Sequence, residues 1–309
     1  MKRILLLLFV LIVCAGCAKP QPVLPSEKDF YTFTDSTGYT VTLPAKPQKT
    51  AVLFSSFAEI WALSGGEIAL TVGESVERGF ADPTVALADT GAGKTVNKEI
   101  LLAAECDFVI GSADIPAQVQ AVELLRKNGV PCALLRVETF ADYLEILRIF
   151  CDINENESAY NTYGTAVQTE IDNIFASMPT DSPAPRILFI RSGSSVSSAK
   201  AKTADTHFAA AMLKELGTYN IAEAAWVLTE NLSTEEILIQ NPDFIFIATM
   251  GEEDAAKAYM NSVLQSDTWQ ALTAVQNGRV IYLPKDLFQY KPNHRWAEAY
   301  EYLADRLQR

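Results

Sequence analysis

The sequence predicts an α/β protein in which two lobes with parallel central sheets are joined by one long α-helix, with a ligand cleft between the lobes. Short apolar segments alternate with amphipathic segments of about ten residues, which is typical of a parallel sheet covered on both faces. This alternation occurs twice, on either side of a helical segment at residues 154–178. A chain of 309 residues, 49% of them hydrophobic, is also large enough to suggest two lobes rather than one.

The N-terminal lobe is predicted to span residues 30–153. Residues 30–43 alternate around a polar turn at 35–38, which predicts a β-hairpin. Apolar spacing then predicts strands at 50–54, 68–73, 107–111 and 132–137, and helices at 56–66, 97–105, 116–129 and 139–150.

Residues 154–178 are predicted to form the connecting helix. Asn154 and Glu157 are spaced as an N-cap pair, apolar side chains then follow helical spacing, and Pro179 ends the run. About 24 residues at ~1.5 Å rise give a helix of roughly 36 Å, long enough to reach both lobes. Because such a connection is stiff, we expect the lobes to rock slightly rather than to close like a clamp.

The C-terminal lobe is predicted to span residues 179–309 and to repeat the pattern of the first. The predicted strands are 186–191, 243–249 and 279–283, and the predicted helices are 205–217, 233–241, 267–278 and 294–308. Each lobe would then have a Rossmann-like arrangement of strands and helices.

The first 16 residues have the pattern of a secretory signal peptide. Two cationic residues precede an uncharged, mostly apolar run from Ile4 to Gly16, shorter than the roughly 20 residues that a membrane-spanning helix needs. The run ends in small residues before Cys17, and this "CAGC" segment resembles a bacterial lipobox. We therefore expect a lipid on Cys17 to attach the protein to the cell membrane on its extracytoplasmic side, with residues 17–29 as a tether.

Charge and cysteine content exclude several classes of protein. A net charge of −13 without a basic cluster argues against nucleic-acid binding, which needs a positive surface. Beyond the N-terminal segment the cysteines are Cys106, Cys132 and Cys151, an odd set that forms neither a disulfide framework nor a zinc site. Cys106 and Cys132 each adjoin a predicted strand, so a disulfide between them and buried free thiols both remain open, with free thiols favoured.

The motifs that would indicate an enzyme are incomplete in this sequence. "GAGKT" at residues 91–95 imitates a phosphate-binding loop, but Ala88 stands where the pattern needs glycine. The only histidines are His207 and His294, too few for a bare transition-metal site, although haem would need a single axial ligand. Because GxSxG is also missing, a cell-surface hydrolase is disfavoured, and we expect a binding protein without cofactor or resident metal.

One phrase occurs twice in the chain, as "NKEILLAAECDFVIGS" from residue 97 and as "STEEILIQNPDFIFIA" from residue 233. Each copy has a polar cap, a glutamate in the first helical turn (Glu99 or Glu235), and an aspartate before a strand. A glutamate in the first turn interacts favourably with the helix dipole, and this effect is enough to explain either glutamate taken alone. Equivalent positions in two lobes predict that both glutamates lie on one exposed rim.

Candidate ligand contacts follow from the rule that parallel α/β sheets bind ligands beyond the carboxyl ends of their strands. Cationic groups beside aromatic faces suit an anionic, flat or aromatic chelate. An ordinary strand-to-helix connection is an equally good interpretation of the loop after residue 190, and a core role is the alternative for residue 296. The candidates are Ser55, Ser56, Phe57 and Ser112 in the first lobe, Arg191 and Ser192 in the second, and Tyr290, Lys291, Arg295 and Trp296 in a proline-broken loop near the C-terminus.

The order of these segments across residues 30–309 resembles the substrate-binding lipoproteins of ABC importers that take up iron-siderophores, haem and cobalamin. Residues 34–66 look like that family's opening hairpin, first strand and first helix. The repeated phrase looks like its two "Glu…Pro-Asp" segments, with Cys106 in place of the first proline. Residues 288–307 resemble the end of its iron-complex binding members.

The resemblance implies a monomeric receptor that captures an iron chelate and delivers it to an ABC importer, composed of a permease dimer with ATPase subunits. A receptor of the same type for haem or a corrinoid is the alternative. The resemblance also implies that Glu99 and Glu235 form salt bridges with arginines of the two permease subunits. Glu236 is the neighbour that could take the place of Glu235.

Overall fold

Two parallel β-sheets, each with helices on both faces, confirm the predicted fold class. The computed structural model describes residues 29–89, 95–179, 183–193 and 198–308. The predicted signal peptide, Cys17, most of the tether and most of the "GAGKT" segment lie outside these described residues. Within the same ranges, none of the helices combines the length and the apolar character that crossing a membrane requires.

The N-terminal lobe combines a two-stranded hairpin with a five-stranded parallel sheet of order β5-β4-β3-β6-β7. Its strands are β1 (Tyr31–Thr34), β2 (Thr40–Leu43), β3 (Thr50–Val52), β4 (Leu70–Thr71), β5 (Ala86–Leu87), β6 (Phe108–Ser112) and β7 (Cys132–Leu135). Its helices are α1 (Ser55–Leu63), α2 (Gly73–Glu77), α3 (Lys98–Ala103), α4 (Pro116–Lys127) and α5 (Phe140–Asn154).

The helix between the lobes starts later than predicted. Helix α5 ends at Asn154, and Glu155 adopts a left-handed conformation (φ 56°) that interrupts the helix. The side chain of Asn156, not Asn154, caps the next helix by accepting from the backbone N–H of Ala159. The connecting helix then consists of α6 (Glu157–Tyr160), a π-helical turn (Asn161–Thr165) and α7 (Ala166–Ser177).

The C-terminal lobe has a parallel sheet of order β10-β8-β11-β12, with β9 antiparallel to β8. Its strands are β8 (Arg186–Ser192), β9 (Ala199–Ala201), β10 (Tyr219–Asn220), β11 (Phe244–Thr249) and β12 (Val280–Tyr282). Its helices are α8 (Phe208–Glu215), α9 (Trp226–Asn231), α10 (Thr234–Gln240), α11 (Glu253–Leu264), α12 (Asp267–Gln270), α13 (Thr273–Gln276), α14 (Lys285–Phe288) and α15 (Trp296–Gln308). Short 3₁₀ turns occupy Ile221–Glu223 and Asn293–Arg295.

The single helix predicted at 267–278 is wrong. The structure has α12 and α13 there, separated by Leu272 in an extended conformation (φ −71°, ψ 139°). Trp269, Leu272 and Ala274 are all buried in the same apolar cluster. The change of chain direction allows all three side chains to reach that cluster, which a straight helix would not.

One hydrophobic core runs through both lobes and the connecting helix. Inner-facing side chains of the two sheets, such as Phe108 and Phe189, belong to the same cluster as Val167 and Ile171 of α7. Helix α15 packs along α7 and completes this shared core. The outer face of each sheet has a smaller cluster of its own. The shared core favours small relative movements of the lobes, because larger ones would expose apolar surface.

The hairpin is fixed to the first sheet by the buried carboxylate of Asp35. It accepts hydrogen bonds from Thr37 and from the backbone N–H of Leu134, and it pairs with Arg126. Burial by itself raises the pKa of Asp35, but the bonds from Thr37, Leu134 and Arg126 outweigh it and lower the pKa below the usual 3.8. The charged form is therefore the one that the fold stabilises.

We expect Asp35→Asn to lower the free energy of unfolding at neutral pH by about 2 kcal/mol, because a charge-assisted network loses its negative charge and one of its two acceptor oxygens. A carboxylate with a lowered pKa stabilises the fold above its unfolded pKa of 3.8, and this contribution is lost as the pH falls through the folded value. The difference between wild type and variant in urea unfolding should therefore shrink in acid. Asp82→Asn is the control, because Asp82 makes a similar turn with Thr84 on the exposed surface. An equal effect of both substitutions would contradict this prediction.

Candidate functional site

A cleft of about 230 Å³ lies beyond the carboxyl ends of β3, β6 and β7, where the strand-end rule predicts a ligand site. Its walls combine apolar side chains with two cations, two carboxylates and two hydroxyl groups. The lining residues are Phe54, Ser56, Phe57, Ser112, Asp114, Ile115, Arg136, Val137, Glu138 and Lys291. Lys291 comes from the C-terminal lobe, so the cleft lies where the two lobes meet.

The loop that carries Lys291 is fastened to the N-terminal lobe by Glu59 of α1. The side-chain amide of Asn293 donates to a carboxylate oxygen of Glu59 at 2.7 Å and to the backbone carbonyl of Ser56 at 3.0 Å. The Nδ1 atom of His294 lies 2.9 Å from the other oxygen of Glu59. Glu59 is only 6% exposed, so these bonds satisfy a buried carboxylate and fix the loop over the first turn of α1.

Both cations of the cleft are paired with carboxylates. The Nζ atom of Lys291 lies 2.8 Å from Glu138, and the guanidinium of Arg136 lies 2.6 Å from Asp114. Burial lowers the pKa of Lys291, whereas its hydrogen bond to Glu138 acts in the opposite direction. Lys291 also lies over the ring of Phe208, 4.6 Å from its centroid.

Tyr290 lies next to a third cation, Arg78. The guanidinium of Arg78 lies 4.0 Å from the ring centroid of Tyr290 and 4.6 Å from that of Phe80. It also donates a hydrogen bond of 3.0 Å to the hydroxyl of Ser55, whose own proton goes to Glu74. Arg78 thus connects the lobes through a cation–π contact.

His207 is a buried ring within electrostatic range of three cations. Burial, together with the positive charges of Lys291, Arg191 and Lys202, lowers the pKa of His207 to about 3. The ring packs against Phe189 and Phe208, with centroids 4.7 and 5.0 Å away. Its Nδ1 atom accepts from the backbone N–H at position 209, at 3.2 Å, so the proton of the neutral ring is on Nε2.

We expect the imidazole signals of His207 to stay constant between about pH 5 and 8 in an NMR titration, since the ring is neutral throughout. In the unfolded chain the same ring takes up a proton near pH 6.5, so its contribution disfavours folding progressively as the pH falls from about 6.5 to about 3. Lys291→Gln should raise the pKa of His207, because one positive neighbour is removed. A wild-type transition near pH 6.5 would contradict the prediction.

Burial corrects two predicted ligand residues, Ser192 and Trp296, and a third, Arg295, is ion-paired. Ser192 is fully buried, and its hydroxyl lies 3.4 Å from two backbone carbonyl oxygens. Trp296 is 1% exposed and packs edge-on against Phe140 and Phe208 in the shared core. Arg295 is paired with two carboxylates of its own lobe, at 2.8 and 2.7 Å. Its guanidinium donors are therefore already engaged.

The other predicted residues lie at or near the cleft. Ser56, Phe57, Ser112 and Lys291 line it, and Arg191 lies close enough to His207 to affect its pKa. Ser55 is buried behind the wall and positions Arg78.

Sequence reasoning missed Arg78, Arg136 and Glu138. The strand-end rule identifies Arg136 and Glu138 in retrospect, because they directly follow β7. Nothing local to α2 indicates that Arg78 reaches Tyr290, more than 200 residues away in the chain.

Glu99 and Glu235 occupy equivalent positions, as the repeated phrase predicts. Each lies exposed in the first turn of a helix, α3 or α10, that precedes a central strand of its sheet. Such a helix runs antiparallel to the following strand, so its first turn lies at the same edge as the strand carboxyl ends. Within the described ranges neither glutamate has an ion-pair partner. Glu236 is half-buried and accepts from Gln240, which leaves Glu235 as the exposed group.

The aspartates of the repeated phrase have a structural role. Asp107 accepts from the backbone N–H groups of Gln48 and Lys49 just before β3. Asp243 accepts from the backbone N–H of Arg186 at the start of β8. In both lobes the aspartate thus joins two neighbouring strands at their amino ends.

Neither metal-binding side chains nor cysteines form a reactive cluster in the described part of the chain. Over the described ranges no group of three or more histidine, cysteine, aspartate or glutamate residues is arranged to hold a metal ion. Cys106, Cys132 and Cys151 are buried free thiols. Burial raises the pKa of Cys132 to about 12, which keeps it protonated and unreactive.

A family profile described as "Periplasmic binding protein" matches residues 51–287. A search of curated proteins found no match to the chain. The fold is similar to that of an ABC transporter substrate-binding protein from Listeria monocytogenes EGD-e, at 18% identity and a TM-score of 0.67 over 84% of this chain and 98% of that one.

Two further solved structures have the same fold. One is Staphylococcus aureus SirA complexed with staphyloferrin B, at 13% identity and a TM-score of 0.68 over 90% of this chain and 98% of that one. The other is the periplasmic heme-binding protein RhuT from Roseiflexus sp. RS-1, at 15% identity and a TM-score of 0.64 over 84% and 98%. At such identities the likeness is one of fold.

Proposed function

Because this chain belongs to the periplasmic binding protein family, we propose that it captures an anionic iron chelate and delivers it to the permease of an ABC importer. The observation that carries the proposal is the set of cations at the junction of the lobes, in a protein whose net charge is −13. Lys291 and Arg136 line the cleft, and Lys291, Arg191 and Lys202 are close enough to His207 to lower its pKa. Positive charge at a cleft attracts an anionic ligand, which would compete with Glu138 and Asp114 for the two cleft cations.

The relatives support an iron chelate as the ligand class. SirA binds staphyloferrin B in its solved structure, and the Listeria protein is a substrate-binding protein of an ABC transporter. The siderophore binding protein BauB, which has the same fold, is solved with a complex of two acinetobactin molecules and ferric iron. Phe54 is half-buried at the cleft and supplies apolar contact surface for the organic part of such a ligand, with the buried ring of Phe57 packed against it. Because the family consists of solute-binding proteins, the alternative of a cell-surface hydrolase has no support.

Haem is the second candidate, favoured by the likeness to RhuT. Binding of haem iron by Nε2 of His207 would require the ring proton to leave that atom. The neutral ring would then carry its proton on Nδ1, which would break the hydrogen bond from the N–H at position 209. His207 is therefore better suited to donate a hydrogen bond to an anionic group than to act as an axial ligand.

Membrane attachment and docking complete the proposal. A lipid on Cys17 would hold the protein at the extracytoplasmic face of the membrane, with the segment before residue 30 as tether. Glu99 and Glu235 would contact arginines of the two permease subunits. Their exposed positions in equivalent helices support this role.

The test is a titration of residues 18–309 with ferric catecholates, ferric hydroxamates, ferric citrate, haem, cobalamin and bare metal ions. Tryptophan fluorescence and melting temperature would report binding. A ligand at a hundredfold excess over its Kd should stabilise the fold by about 2.7 kcal/mol. We expect a response to anionic ferric chelates and none to bare ions. If no compound in the panel changed the tryptophan fluorescence or the melting temperature, the iron-chelate assignment would be wrong.

A further inference from the structure

The pair of Lys291 and Glu138 crosses the cleft between the lobes. Glu138 follows β7 of the first lobe, and Lys291 belongs to the loop after α14 of the second. The two members differ in exposure: the side chain of Lys291 is 19% exposed and that of Glu138 is 51% exposed. The cation therefore belongs to the wall of the cleft, whereas the carboxylate lies on its solvent side.

An ammonium group in such a wall requires a negative partner, because a buried charge without one is strongly destabilising. In the described part of the chain, Lys291 forms an ion pair with this carboxylate at 2.8 Å and lies 4.6 Å from the ring centroid of Phe208, whereas Asp114 and Asp142 act on it only electrostatically. The ring face alone is a weak substitute for an anion. Any group that displaces Glu138 must therefore bring negative charge of its own.

We propose that Glu138 is a displaceable counter-ion, and that an anionic group of the ligand takes its place on Lys291. This inference rests on the proposed function and adds a source of selectivity to it. A polyanionic chelate replaces the carboxylate that it displaces, so the ammonium keeps a partner. A neutral chelate leaves the Glu138–Lys291 pair in place and gains nothing from Lys291.

The exchange would also change the contacts between the two lobes. Replacement of Glu138 opens an ion pair between the lobes, while the bonds from Asn293 and His294 to Glu59 keep the loop in position. The loop would thus present Lys291 to the ligand without moving as a whole.

The experiment compares wild type, Glu138→Gln and the control Glu155→Gln. Glu155 forms a pair of similar length, 3.0 Å, with Lys46 on the exposed surface. The probes are ferric citrate as a polyanionic chelate, ferrichrome as a neutral one, and iron-free citrate. Glu138→Gln should increase affinity for ferric citrate about tenfold, equivalent to about 1.4 kcal/mol. Affinity for ferrichrome should stay within about twofold, and Glu155→Gln should match wild type throughout.

Iron-free citrate separates this inference from the proposed function. The ¹³Cε signal of Lys291, followed by NMR of lysine-labelled protein, should shift at about tenfold lower citrate concentration in Glu138→Gln than in wild type. If citrate gave this shift but no ferric chelate bound, the iron-chelate function would be wrong, whereas the role of Glu138 as a displaceable counter-ion would be supported. If the citrate concentration at the titration midpoint were the same in both proteins, or if Glu138→Gln bound ferric citrate more weakly than wild type, Glu138 would not be a displaceable counter-ion.

Discussion

Trp296→Ala should lower the free energy of unfolding by about 4 kcal/mol, because it leaves a large cavity in the core shared by both lobes. The indole is 1% exposed and contacts the rings of Phe140, Phe208 and Tyr300. These residues belong to the first lobe, the second lobe and α15, so the cavity would loosen the junction itself. Urea unfolding followed by circular dichroism measures the loss.

The control for this substitution is Trp226→Ala. Trp226 is 75% exposed, so its removal should change stability by no more than about 0.5 kcal/mol. If Trp296→Ala retained wild-type stability and lost chelate affinity instead, the residue would be a ligand contact after all.

Combining Glu99→Lys with Glu235→Lys should abolish uptake while leaving chelate binding unchanged. Loss of one member of a close charge pair at an interface costs about 2–5 kcal/mol, so each substitution should weaken docking at least about 30-fold. Reversed charges would also repel the permease arginines. Binding of the loaded protein to transporter in nanodiscs and ligand uptake by cells are the two measurements.

The matched control for docking is the pair Glu123→Lys and Glu301→Lys. Both residues are exposed, one in each lobe, and the pair makes the same change in net charge. If the control variant lost docking to the same extent, general electrostatic attraction would explain the result. If the Glu99 and Glu235 variants docked normally, the docking role would be wrong.

Some of the candidate site could be predicted from the sequence because strand ends are local features. Ser56 and Ser112 lie at the ends of apolar strands, and the rule for parallel sheets places them at one edge. The same reasoning does not reveal how the cations are paired. The sequence suggests that Arg295 could contact a ligand, but in the structure Arg295 forms ion pairs with Asp286 and Glu298 of its own lobe.

The alternation of strands and helices and the equivalent positions of Glu99 and Glu235 can be predicted from the sequence, because they depend on periodicity and repetition along the chain. The core position of Trp296, the bond between Glu59 and His294 at a separation of 235 residues, and the pair of Glu138 and Lys291 are visible only in the folded molecule. The physical reason is that burial and charge pairing depend on neighbours in space, and those neighbours come from distant parts of the chain.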